Sequence, residues 1–102
     1  MNKYIIEYSN EAREDLIKIK RYIKYSLHEC ITAEKLVSKI NLEIEKLKNN
    51  PKIYAIIDDE YIKRLEIRKI VVDNYIVFYR IYNYSIQIVR IMYGRRNWTS
   101  LL

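Results

Sequence analysis

From Lys3 to Tyr8 the chain reads Lys-Tyr-Ile-Ile-Glu-Tyr, rich in strand-forming residues, and then meets Ser9-Asn10. Serine and asparagine cap helices because their side chains accept from unpaired first-turn amides, so the pattern predicts a strand over 3–8 and a helix after it. Ala12, Leu16, Ile19 and Ile23 recur at helical spacing, with Glu11, Glu14 and Asp15 near the end where the helix dipole favours anions. An amphipathic helix over 10–27 follows. His28-Glu29-Cys30-Ile31 breaks the pattern, and Thr32 is placed to cap a second helix carrying Ala33, Leu36, Val37, Ile40, Ile44 and Leu47 on one stripe. That helix should stop at Asn49-Asn50, before Pro51. So short a connection makes an antiparallel helical hairpin, and its apolar stripes need a cover because neither helix is stable alone.

The cover lies downstream. Residues 61–93 are dense in Ile, Val, Tyr and Phe, with turn residues at Asp73-Asn74 and at Asn83, which predicts antiparallel strands over 61–72, 74–82 and 85–93. In the middle strand Tyr75, Val77, Tyr79 and Ile81 alternate with Ile76, Phe78, Arg80 and Tyr82, so both faces carry apolar content, as in a central strand. With helices on one face, the other is expected to be free, aromatic and basic. Residues 51–60, ending Asp58-Asp59-Glu60, read as a solvated acidic connection. The whole, 1–102, is a single α+β domain of order β-α-α-β-β-β, a helical hairpin packed on an antiparallel sheet.

Composition narrows the function. Half of the 102 residues are hydrophobic, enough for one core, yet no apolar run approaches the roughly 20 residues of a bilayer span. A quickly charged N-terminus argues against a signal peptide, so the expected setting is cytoplasmic with no membrane contact. The single cysteine, Cys30, and single histidine, His28, make neither a disulfide nor a four-ligand zinc site, and no metal is expected. Cys30 reads as a small buried hydrophobe and His28 as a solvated turn residue. The single glycine, Gly94, excludes glycine-rich phosphate loops, and no cofactor is expected. Residues 1–60 balance eleven Lys or Arg against eleven Asp or Glu, whereas 61–102 hold eight against two and so carry the whole net charge of +6. The second part presents a positive surface to something anionic. A basic nucleic-acid-binding domain would account for that half of the chain, and Tyr75, Tyr79 and Tyr82 would stack bases if they were exposed.

The sequence also resembles the RelE/ParE superfamily of toxins from bacterial type II toxin–antitoxin modules. The resemblance runs over nearly the whole chain: Tyr8-Ser9-Asn10-Glu11-Ala12-Arg13-Glu14-Asp15-Leu16, then Ile19 and Tyr22-Ile23, the helix from Ala33 to Leu47 ending in Asn50-Pro51, the strand Asn74 to Ile81, and Val89-Arg90-Ile91-Met92-Tyr93-Gly94-Arg95-Arg96-Asn97-Trp98. It implies a small toxin that arrests growth and stabilises plasmids, silenced by an acidic antitoxin. Members divide by target. ParE-like toxins inhibit DNA gyrase, whereas RelE-like toxins are metal-independent endoribonucleases that cut messenger RNA on the ribosome. A RelE-like chain would carry arginine where Ile76 stands and tyrosine or histidine where Leu101-Leu102 stand, although Arg96 matches the arginine after the last strand. Cleavage needs a convergent acid/base pair and inhibition only a complementary surface, so the resemblance favours gyrase and a binding rather than an enzymatic role.

On that template Arg64, Arg68, Arg80, Arg90, Arg95, Arg96 and Trp98 are the expected target contacts. Were the chain a nuclease, Arg68, Arg96 and Tyr93 would be its machinery, Arg68 holding phosphate from the strand beside the middle one. Tyr93 stands where many relatives have histidine, and a phenol is a poor base near neutral pH. Arg80 and Arg90 either line one face or pair with Glu66, and Trp98 is either a core plug or a contact anchor. The antitoxin is expected over the seam of hairpin and sheet edge, touching Leu16, Ile19 and Ile23, with its acids meeting Arg95 and Arg96.

Overall fold

The computed structural model describes residues 4–102; Lys3, with the first position of the expected strand, lies outside the described residues. β1 (Ile5–Tyr8) leads into α1 (Asn10–Arg21), which continues as a π-helical turn, Tyr22–Ser26. α2 (Cys30–Lys46) returns antiparallel, and after a long connection with a 3₁₀ turn at Lys63–Leu65 come β2 (Arg68–Val72), β3 (Tyr75–Tyr82) and β4 (Ser85–Tyr93). A last 3₁₀ turn spans Trp98–Leu101. The α+β reading and its element order hold.

Ser9 caps α1 as expected, accepting from the Ala12 N–H at 2.9 Å. Its hydroxyl also donates to Val89 O at 2.7 Å, so one side chain starts the helix and ties it to β4. α2 begins before Thr32, because the Ala33 N–H donates to Glu29 O and opens the helix a turn earlier. That places Cys30 on an exposed first turn, not in the core. The strand expected over 61–72 is real only from Arg68. Upstream, Ile62 is buried and Glu66 takes a left-handed φ of 54°, which turns the chain before it can extend.

The sheet order is β1-β4-β3-β2, antiparallel except that β1 runs parallel to β4. Val72 pairs with Tyr75 and Tyr82 with Ser85, leaving two-residue turns in which Asp73 (φ 53°) and Asn83 (φ 56°) supply the positive dihedral, a conformation both types tolerate. In β4 the register skips Val89: Phe78 faces Arg90 while Tyr79 faces Ile88. This bulge keeps Ile88 and Ile91, three residues apart, on the same face.

That face and the hairpin enclose the main core, where Ala12, Ile23, Ala33, Leu36, Ile40, Ile44 and Leu47 meet Ile70, Val77, Tyr79, Ile86, Ile88 and Ile91. The opposite face corrects the expectation of an open aromatic and basic surface. Half of it is a second core of Ile67, Ile76, Phe78 and Met92, covered by Ile57, Leu65, Trp98 and Leu102. Nor do the three tyrosines form a stacking platform: Tyr79 is fully buried and faces the hairpin with Tyr75, whereas Tyr82 is exposed on the other side.

Candidate functional site

The basic end of the molecule is built where β4 runs out. Gly94 donates its N–H to Asn74 O at 2.8 Å, and a Cβ there would stand 3.3 Å from that same oxygen. The glycine therefore eases a close approach of two backbones that a side chain would crowd. The chain then turns, the Arg96 N–H donating to Tyr93 O and the Trp98 N–H to Arg96 O, which leaves Arg95 and Arg96 exposed side by side.

Beside them a cleft of about 630 Å³ opens between α1 and the end of the sheet. Ile19, Tyr22, Leu27, Tyr75 and Tyr93 make its apolar lining, and Lys18 and Arg96 supply cations at its rim. The Tyr75 and Tyr93 rings lie 5.7 Å apart. Burial pushes the Tyr75 phenol up from its ordinary value, with smaller contributions from the Tyr22 and Tyr93 phenols nearby. A cleft with an apolar floor and a cationic rim is suited to an acidic, amphipathic segment of another protein.

The Asp15 carboxylate closes the inner wall. It accepts from Arg90 Nε at 2.8 Å and Nη2 at 2.9 Å, and from the Ile91 N–H at 3.0 Å. The Arg90 pKa is raised, first by this hydrogen bond, against the opposing effect of burial. The partner of Arg90 is thus Asp15 rather than Glu66, and its fork is occupied inside the protein.

The remaining candidates are dispersed. Arg68 faces the hairpin side and donates to Tyr54 O, pinning the 51–60 connection. Arg64 is exposed on the 3₁₀ turn before β2. Trp98 packs on Phe78 with ring centroids 5.1 Å apart and has the Lys69 ammonium 5.7 Å from its own centroid, so it caps the second core while keeping an exposed rim. Tyr93 and Arg96 share the cleft, but Arg68 does not line it. Ile19 lines it, whereas Leu16 packs partly buried against the main core and Ile23 is buried within that core. Sequence reasoning missed Lys18, Tyr22 and Tyr75 as lining residues and Asp15 as an anchor. Asp15 sits three residues after Ala12 on the apolar stripe, and that placement was the available signal. Among the described residues no group of His, Cys, Asp and Glu is placed to hold a metal ion, and no helix is long and apolar enough to cross a membrane.

The comparisons agree with this architecture. No curated protein matches the chain. A solved structure described as the chromosomal ParDE TA system from P. aeruginosa shares the fold with a TM-score of 0.73 at 18% identity, over 91% of this chain and 98% of that one. The model of the family described as ParE toxin of type II toxin-antitoxin system, parDE, matches residues 6–98. A match over that much of the chain, on a fold that solved structure shares, means that this protein belongs to the ParE toxin family of type II toxin–antitoxin systems.

Proposed function

We propose that the chain arrests growth by binding DNA gyrase as a stoichiometric inhibitor, and that an acidic antitoxin silences it by filling the tyrosine-lined cleft. The observation that carries this reading is the exposed Arg95–Arg96 pair standing beside an apolar cleft, a contact surface, while Arg68 and Arg90 are engaged by Tyr54 O and Asp15. An antitoxin seated there would place its acids against Arg96 and Lys18 and cover the same end of the molecule that the target meets.

Message cleavage is the second reading, supported by Tyr93 and Arg96 lining one cleft. Controlled induction in a bacterial host separates the two. The expected outcome is early DNA-damage signalling with protein synthesis still running, together with inhibition of supercoiling by purified gyrase. Immediate arrest of translation with cleaved messages would establish a ribonuclease instead, and no growth effect would leave a binding module.

A further inference from the structure

The helical hairpin closes on a turn wider than an α-helix allows. α1 gives way to the π-helical turn Tyr22–Ser26, where the Leu27 N–H donates to Tyr22 O at 3.3 Å and the Glu29 N–H to Ile23 O at 3.0 Å. These bonds reach back five and six residues, each one residue further than its counterpart in an α-helix and its usual C-terminal cap. His28, at a φ of 53°, then reverses the chain. Such a turn holds an extra residue that regular winding would not, and turns of this kind gather at functional sites.

The extra residue decides where Leu27 stands. In an α-helix a residue five positions on lies about 140° further round the axis, which would part Leu27 from Tyr22. A bond spanning five residues brings the two back onto one side, and both line the cleft beside Arg96. Leu27 also lines a second cleft, of about 520 Å³, that runs on between α2 and the β2–β3 turn. Leu27, Asn74 and Tyr75 belong to both, so the two clefts are one groove with a saddle between Leu27 and Tyr75. The second cleft has Ile23 and Leu36 for a floor and Glu29, Lys35, Lys39 and Asp73 for a rim. Lys39 is engaged by Asp73 at 2.7 Å, whereas Lys35 is exposed and makes no ion pair among the described residues.

We propose that the antitoxin segment does not end in the tyrosine-lined cleft but crosses this saddle into the second one, with Leu27 as an apolar contact and Lys35 receiving a carboxylate. The inference rests on the reading that an acidic antitoxin fills the first cleft. Stable complexes engage about 20–30 residues on each side. Eleven line the first cleft, so a silencing partner needs more surface, and the contiguous second cleft supplies it. Charge selects that partner over a second copy of the chain. Lys18, Arg96 and Lys35 stand along one groove of a protein whose net charge is +6, which repels its own kind and draws an acidic one. Glu29, on the same rim as Lys35, makes the far end of the segment mixed in charge, a base accompanying the acid.

The test measures binding of the purified antitoxin encoded in the adjoining reading frame to wild type, Leu27→Ser, Lys35→Glu, Lys35→Arg and Arg96→Glu, with urea unfolding and the oligomeric state of each free toxin alongside. Leu27→Ser and Lys35→Glu should each bind about tenfold or more weakly with their unfolding midpoints retained, because neither side chain is buried. Lys35→Arg should bind as wild type does. Weakened binding in Arg96→Glu with none in Leu27→Ser or Lys35→Glu confines the antitoxin to the first cleft and overturns this assignment alone. Full binding by all three overturns the cleft reading and this assignment with it. A free toxin that is dimeric, and turns monomeric in Leu27→Ser while antitoxin binding holds, also overturns it, in favour of a second copy.

Discussion

At the residue scale the decisive side chain is Asp15, an acid 7% exposed on a helix that otherwise buries alanine and aliphatic residues. Its oxygens accept from the Arg90 fork and from the Ile91 amide, which β1, paired only through Tyr8 with Ile88, is too short to reach. Asp15→Ala strands a largely buried guanidinium and a backbone N–H, and should lower stability by about 3–5 kcal/mol, read as a fall in the urea midpoint. Tyr79 gives a pH-dependent counterpart. Burial pushes its phenol from 10.0 up to about 12, and its hydroxyl donates to Pro51 O at 2.8 Å. The folded chain therefore keeps a proton that the unfolded chain releases first, and stability present below pH 10 drains away as pH rises toward about 12. Tyr79→Phe should lose about 1 kcal/mol at neutral pH and lose this alkaline slope, measured by urea titrations at stepped pH. Helical spacing alone places Asp15 on the apolar stripe, but its charge argues equally for a dipole partner. Only the position of β4 decides between them.

At the scale of elements, legibility follows how local the determinants are. β3 and β4 stand within a residue of the alternating runs that predict them, because Asp73-Asn74 and Asn83 fix the turns by their own dihedral tolerance. α1 keeps its N-terminus for the same reason, through Ser9. The failures are at sites set from a distance. β2 is short because Ile62 and Ile67 are drawn into burial around a left-handed Glu66, and the Val89 bulge has no mark in a run of aliphatic residues. In the candidate site Arg95 and Arg96 are legible from their place after the only glycine, whereas the tyrosines lining the cleft are recruited from three separate elements. The C-terminal turn is an element with a measurable weight. Trp98→Ala would uncover Phe78 and strip Lys69 of its aromatic partner, so it should cost about 2–3 kcal/mol and raise binding of a hydrophobic dye.

At the scale of the whole molecule, the flat form, 40 × 35 × 21 Å, places three surfaces on one four-stranded sheet: a face buried by the hairpin, a face half covered by the C-terminal turn, and an end where β4 meets α1. The second face is the part least accessible to sequence reasoning, since nothing local says that residues 57–67 and 98–102 fold back over it. The parallel pairing of β1 with β4 has a further consequence for how the protein is made. Among the described residues the first strand finds its only neighbour more than seventy-five residues later, at Ser85 to Ile88, and α1 finds partners for Asp15 further along still, at Arg90 and Ile91. A nascent chain interrupted before β4 has no place to dock its opening strand and no second wall for its cleft, so the closing contacts form late and across long loops. The cleft beside Arg96 is therefore among the last features of the molecule to be completed, since β4 supplies one of its walls.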